Sequence, residues 1–146
     1  MTAYTQEWLC LQIVEKAADA IVFADPDGII RLWNSGAEAI FGYSAEEALG
    51  QTLDLIVPEK LRERHWEGYR KVMETGVTQY GSDLLSVPAL KNDNSRLSVE
   101  FTIVLLKNDS GKPIGTAAII RDVSERWQRE KELKKRLAEL EAKDLH

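Results

Sequence analysis

Hydrophobic positions change their period several times along the chain, and each change marks a new element. Between residues 5 and 18, Leu9, Ile13, Val14 and Ala17 recur close to a helical spacing, which predicts a short N-terminal helix. Residues 20–24 (AIVFA) are an apolar run of strand length, and residues 29–33 are a second. Asp25-Pro26-Asp27-Gly28 between them is turn chemistry, because proline presets φ and glycine accepts left-handed backbone. The two runs therefore read as a hairpin. Asn34 and Ser35 can cap a short helix, with Glu38 completing a capping box on Ser35, and that helix ends at Gly42. Ser44 and Glu47 form a second capping box, opening another short helix that stops at Gly50.

A longer helix is predicted over residues 59–75, with Pro58 at its first turn and Gly76 closing it. Leu61, His65, Tyr69 and Val72 fall on one stripe of it. That stripe is expected to face a sheet, with Arg62, Glu63, Glu67 and Arg70 toward water. Three strands follow, over residues 78–87, 97–106 and 114–121. The middle one alternates through Leu97, Val99, Phe101, Ile103 and Leu105. Turn residues at 91–94 and 108–111 make these strands a meander. The order β-β, short helices, long helix, β-β-β is that of an α+β domain: an antiparallel sheet with helices packed on one face.

From residue 124 to the end, charged residues dominate and Leu133, Leu137 and Leu140 recur at spacings of four and three. This is a short a/d seam. A stripe so narrow buries little alone, so the expected partner is the same helix of a second copy or a following domain.

Composition narrows the function. A chain of 146 residues with 44% hydrophobic and 29% charged residues suits one soluble core plus an appendage. A net charge of -5 argues against non-specific nucleic-acid binding. The single cysteine, Cys10, allows no internal disulfide and no thiolate metal site. It fits a reducing, cytoplasmic setting as a half-buried apolar residue among Trp8, Leu9 and Leu11. The start lacks the basic and apolar regions of a signal peptide, and no apolar run approaches the roughly 18 residues of a membrane span. No glycine-rich phosphate loop is present, and His65 and His146 are the only histidines. A Ser-His-Asp or two-histidine metal site therefore has no support. The chain is not expected to be an enzyme; any kinase activity would lie on another domain or chain.

Several segments in order resemble the PAS sensor family: Asp25-Pro26-Asp27-Gly28-Ile29-Ile30 leading to Trp33-Asn34, then residues 37–47 (AEAIFGYSAEE), Gly50, and residues 119–126 (IIRDVSER). The resemblance implies a PAS fold, with a five-stranded antiparallel sheet, short helices and one long helix on one face. It divides the chain into an N-terminal helix (1–19), a PAS core (20–122) and a signalling helix (123–146). It also implies a ligand site between the sheet and the long helix, although many PAS domains bind nothing. Asp122-Val123-Ser124 matches the family motif at which the output helix begins. The resemblance further implies a homodimer, through the N-terminal helix (Trp8, Leu9, Ile13) or Leu133, Leu137 and Leu140, with an output domain or kinase as a further partner.

Residues 58–65 (PEKLRERH) resemble the corresponding helix of the haem-binding PAS domains of bacterial oxygen-sensing kinases. In those domains the iron-bound histidine stands at the same offset from Pro-Glu. By this resemblance His65 is the axial ligand of a haem b, neutral imidazole being a good one. Leu85, Val87, Phe101, Ile103, Ala117 and Ile119 would then line the pocket. The same residues are equally explained as core, and His65 as a structural histidine. A cofactor-free interaction module and a PAS domain for another small organic ligand therefore both stay open. Leu85 falls where the oxygen sensors carry a distal arginine, and a leucine cannot hydrogen-bond a bound gas. Arg64, Lys71 and Arg96 are the cations considered for haem propionates. Flavin is disfavoured, because residues 54–58 (DLIVP) lack the Asn-Cys-Arg motif of the blue-light receptors.

Overall fold

The computed structural model describes residues 4–78 and 83–144. Its elements are α1 (Gln6–Lys16), β1 (Ala20–Ala24), β2 (Ile30–Trp33), α2 (Ser35–Phe41), α3 (Ala45–Ala48), a 3-10 turn (Leu53–Leu55), α4 (Glu59–Thr75), β3 (Leu85–Leu90), β4 (Arg96–Lys107), β5 (Pro113–Asp122) and α5 (Ser124–Asp144). The strands form one antiparallel sheet in the order β2-β1-β5-β4-β3. The expected α+β architecture is therefore present, with the first hairpin joined to the meander through β1 and β5.

Strand alternation sorts the sheet into two faces. Ala20, Val22 and Ala24 on β1 point inward and lie opposite Ile120, Ala118 and Thr116 on β5. On β4 the inward residues are Leu97, Val99, Phe101, Ile103 and Leu105; on β3 they are Leu85, Val87 and Ala89. The core gathers at one end of this face, where Phe41, Ala37, Ala48 and Ile56 meet Ile30, Trp33, Val22, Ala89, Leu97, Val99 and Ile120.

Two local expectations need correction. The cap of α2 is Asn34, whose side chain accepts the Ala37 N–H. Ser35 is the first helical residue, and Glu38 instead accepts the N–H of Ala45. The Ser44–Glu47 capping box is present as expected. The third strand begins at Leu85 and runs through Pro88 to Leu90, later than the expected 78–87; residues 79–82 lie outside the described residues. Proline reads as a strand stop, but β3 is an edge strand, where a missing N–H is tolerated.

Asn34 is fully buried and joins three elements. Its Oδ1 accepts from Ile21 of β1 as well as Ala37, at 2.8 and 2.9 Å. Its Nδ2 donates to the carbonyls of Val14, Ala17 and Asp19 at 2.7, 3.4 and 3.0 Å. Every donor and acceptor of the amide is used. Helix α1 is thereby fixed beside α2, yet none of its own residues is buried, and Cys10 is exposed rather than half-buried.

Candidate functional site

Helix α4 starts after Pro58 and ends at Gly76, whose φ of 70° is the left-handed stop that glycine supplies. Its side chains reach the domain at a few points. Tyr69 is its one buried residue, and the hydroxyl donates to the carbonyls of Ala24 and Asp25 at the end of β1. Burial pushes the Tyr69 phenol above its ordinary pKa, so it stays a donor. One turn earlier, Trp66 donates its indole N–H to Asp54 Oδ1 at 2.7 Å. Its ring lies against Gly28, where a Cβ would meet it at 2.1 Å. Arg62, expected to face water, is half-buried and donates to the carbonyls of Val57 and Asp54 at 3.0 and 3.3 Å.

His65 stands among these anchors without one of its own. Its ring meets Trp66 edge-on at 4.9 Å and Tyr69 at 5.9 Å. Its Nδ1 is buried and has no hydrogen-bond partner among the described residues. Burial lowers the His65 pKa, and the Asp54 carboxylate opposes this only in part. The imidazole is therefore neutral at pH 7.

The sheet opposite is apolar and incompletely covered. Leu85 pairs with Phe101, Val87 with Val99, and Ile103 with Ala118, so all four expected wall residues on β3 and β4 face the helices. Leu85, Phe101 and Ile103 are half-buried and Val87 is exposed. Ala117 and Ile119 are not in this wall. They alternate onto the outer face, and Ala118 and Ile120 hold the inner positions instead. Thr116 is a polar residue among the inward positions, opposite Ala24. Sequence reasoning missed Trp66 and Asp54, and read Asn34 as a cap alone, without its bonds to β1 and to the end of α1. Trp66 had a signal, since it stands three residues before Tyr69 and beside the apolar stripe.

At the other end, the Ser124 N–H is capped by Asp122 Oδ1 at 2.9 Å, and Ser124 Oγ accepts from Ser98 of β4 at 2.9 Å. Arg126 pairs with Glu100 of β4. Arg121 makes two hydrogen bonds to Asp19, at 3.2 and 3.1 Å, tying the end of β5 to the segment between α1 and β1. Beyond this, Leu133, Leu137 and Leu140 of α5 are exposed. No helix among the described residues is long and apolar enough to cross a membrane, and no cluster of acidic, histidine or cysteine side chains there could hold a metal ion.

The family model of the PAS fold matches residues 14–128. The chain belongs to the PAS family. A PAS domain from Colwellia psychrerythraea superposes with a TM-score of 0.70 at 25% identity, covering 80% of this chain and 96% of that one. The sensor protein FixL of Bradyrhizobium diazoefficiens is 29% identical over 139 residues, covering 93% of this chain and 26% of FixL. The oxygen sensor protein DosP of Escherichia coli is 26% identical over 111 residues, covering 76% of this chain and 14% of DosP. The PAS domain is thus homologous to sensor-protein PAS domains, and the chain spans about a quarter or less of these relatives' lengths.

Proposed function

We propose that this PAS domain is the input module of a signalling protein. In this reading it binds haem b through His65, senses a diatomic gas or redox state, and passes the change to α5. The observation that carries the reading is the state of His65: neutral and part-buried on α4, with a buried ring nitrogen that has no hydrogen-bond partner among the described residues. An orphaned buried polar atom is uncommon and calls for an explanation such as a ligand. The residue types suit haem: one neutral imidazole on α4, with Leu61 and Val72 on the same helix stripe, and an apolar inner sheet face that carries Leu85, Val87, Phe101 and Ile103. The similarity to an oxygen sensor protein points the same way.

When bound, the haem iron would supply an open coordination position for a small gas. The protein's part is to hold that iron by His65, exclude water with the apolar wall, and position the gas. Leu85 offers no hydrogen bond to it, so this wall gives neutral CO no polar disadvantage against O2. The sensing end and α5 are linked through the sheet: β4 and β5 carry Phe101, Ile103 and Ala118 on the inner face and end at Ser98, Glu100 and Asp122, which hold the start of α5.

Haemin titrated into the purified chain is expected to give a 1:1 Soret species, and His65→Ala is expected to lose it. Absence of that species in the parent chain overturns the haem reading and leaves a cofactor-free module or a PAS domain for another small ligand. A Soret band unchanged in His65→Ala removes His65 from the site.

A further inference from the structure

Among the described residues, every side-chain hydrogen bond and ion pair that ties α4 to the rest of the domain leaves from one stripe of the helix. Arg62, Trp66 and Tyr69 stand at i, i+4 and i+7, so their directions agree within about 60°. Arg62 reaches Val57 and Asp54, Trp66 reaches Asp54, and Tyr69 reaches Ala24 and Asp25. The acceptors all lie at the end of β1 or in the segment before α4. Thr75 bonds only around the end of its own helix, to Lys71 and Val77. The stripe of Leu61, His65 and Val72 lies about a quarter turn from the fastened one. Its three side chains are half-buried and carry no such tie.

The fastened edge meets a fixed stop. The Trp66 ring fills the space over Gly28, where φ is 78° and a Cβ would meet the ring at 2.1 Å. Gly28 is itself pinned: its N–H donates to the Asp25 carbonyl at 2.8 Å, and its carbonyl accepts from Leu53 of the 3-10 turn at 3.1 Å. The opposite edge has nothing comparable. Tyr69 bonds at the end of β1, which lies two strands from β4 and three from β3, or about 10 and 14 Å. A helix with its side chains is about 10–12 Å across. Held at the β1 side, α4 cannot cover β3 as well, and Val87 there is 40% exposed although it points inward.

We propose that α4 is a flap hinged along Arg62, Trp66 and Tyr69, with Trp66 on Gly28 as the stop that sets its closed position. Rolling about that edge raises or lowers the stripe of Leu61, His65 and Val72 over the apolar inner face of β4 and β3. A flat apolar ligand is then admitted by rotation of one helix, and the core under α2 and α3 stays packed. The device goes beyond the haem reading and serves any small apolar ligand of that face.

The test uses the full chain with no cofactor added. Amide hydrogen exchange reads the mobility of α4, and the emission of the anionic dye ANS reads exposed apolar surface. In Trp66→Ala, exchange over α4 is expected to quicken at least tenfold and ANS emission to rise at least threefold, while β1 and β5 exchange as in the parent. Asp54→Ala, which removes only the acceptor of the indole N–H, is expected to act in the same direction by at least threefold, and it keeps the test decisive should Trp66→Ala fold poorly. Adding Val87→Glu is expected to cancel the ANS gain, by placing a like charge on the inner face of β3, without slowing α4 again. Arg70→Ala, on α4 but off the fastened stripe, is expected to match the parent in both readings. Unchanged α4 exchange in Trp66→Ala and Asp54→Ala overturns the proposal. Equal quickening in β1 and β5 does so too, because Trp66 then holds the core and not a flap. An ANS gain that survives Val87→Glu, or an Arg70→Ala effect as large as that of Trp66→Ala, overturns it as well. Haemin titration of the parent bears on the haem reading alone, so the two failures are distinguishable.

Discussion

The inner face of the sheet carries two kinds of packing. Over β1, β2 and the near ends of β3 and β4, the side chains of α2, α3 and the 3-10 turn close the core, and Ala37, Phe41 and Ala48 are fully buried there. Under α4 the sheet residues are mostly half-covered, and the helix holds on by a few hydrogen bonds from Tyr69, Trp66 and Arg62. Polar accounting differs in the same way. In the closed half the buried amide of Asn34 uses every donor and acceptor, whereas on α4 the buried nitrogen of His65 has no partner among the described residues. A domain built this way keeps its stability in one half and leaves the other free to change.

That contrast can be broken by experiment. The largest effect is expected from Phe41→Ala, which opens a cavity in the closed half and costs about 3–5 kcal/mol. Ile103→Ala, in the half-covered wall, is expected to cost much less, on the order of 1 kcal/mol, because little packing is lost. Urea denaturation of both variants measures the gap, and equal losses would abolish the distinction. Next is Asn34→Ala, expected to cost about 2–3 kcal/mol by stranding backbone groups. It should also make α1 the first site of limited proteolysis; unchanged cleavage would show that α1 is held by something else.

The smallest effect sharpens the picture of the open half. The folded state depresses the His65 pKa below the roughly 6.5 of an unfolded histidine. Below about pH 6.5 the unfolded chain takes up a proton that the folded chain refuses, so this contribution is full above that pH and is lost as the pH falls. His65→Phe is expected to flatten that part of the stability profile. Identical profiles from pH 7.5 to 5.5 would assign the dependence to other groups.

Much of this was legible in the sequence, and the failures have physical causes. The span of α4 was readable because Pro58 and Gly76 are unambiguous punctuation. The phase of β5 was not, because Ala117-Ala118-Ile119-Ile120 is apolar at every position and gives alternation nothing to show. Ala117 and Ile119 were therefore set in the pocket wall when they belong to the other face. Two adjacent capping residues, Asn34 and Ser35, left the α2 cap ambiguous, and only the fold reveals that Asn34 also serves α1. The stripe through His65 was visible; the ladder from Trp66 to Asp54 spans a loop, and no periodicity encodes it.

Pro88 has a consequence of its own. It sits in β3, at one free edge of the sheet, and withholds a backbone donor from a row that another chain could otherwise copy. A sheet with an uncovered edge strand runs the risk of joining other sheets edge to edge. The proline makes that route a poor one and disfavours runaway fibre growth.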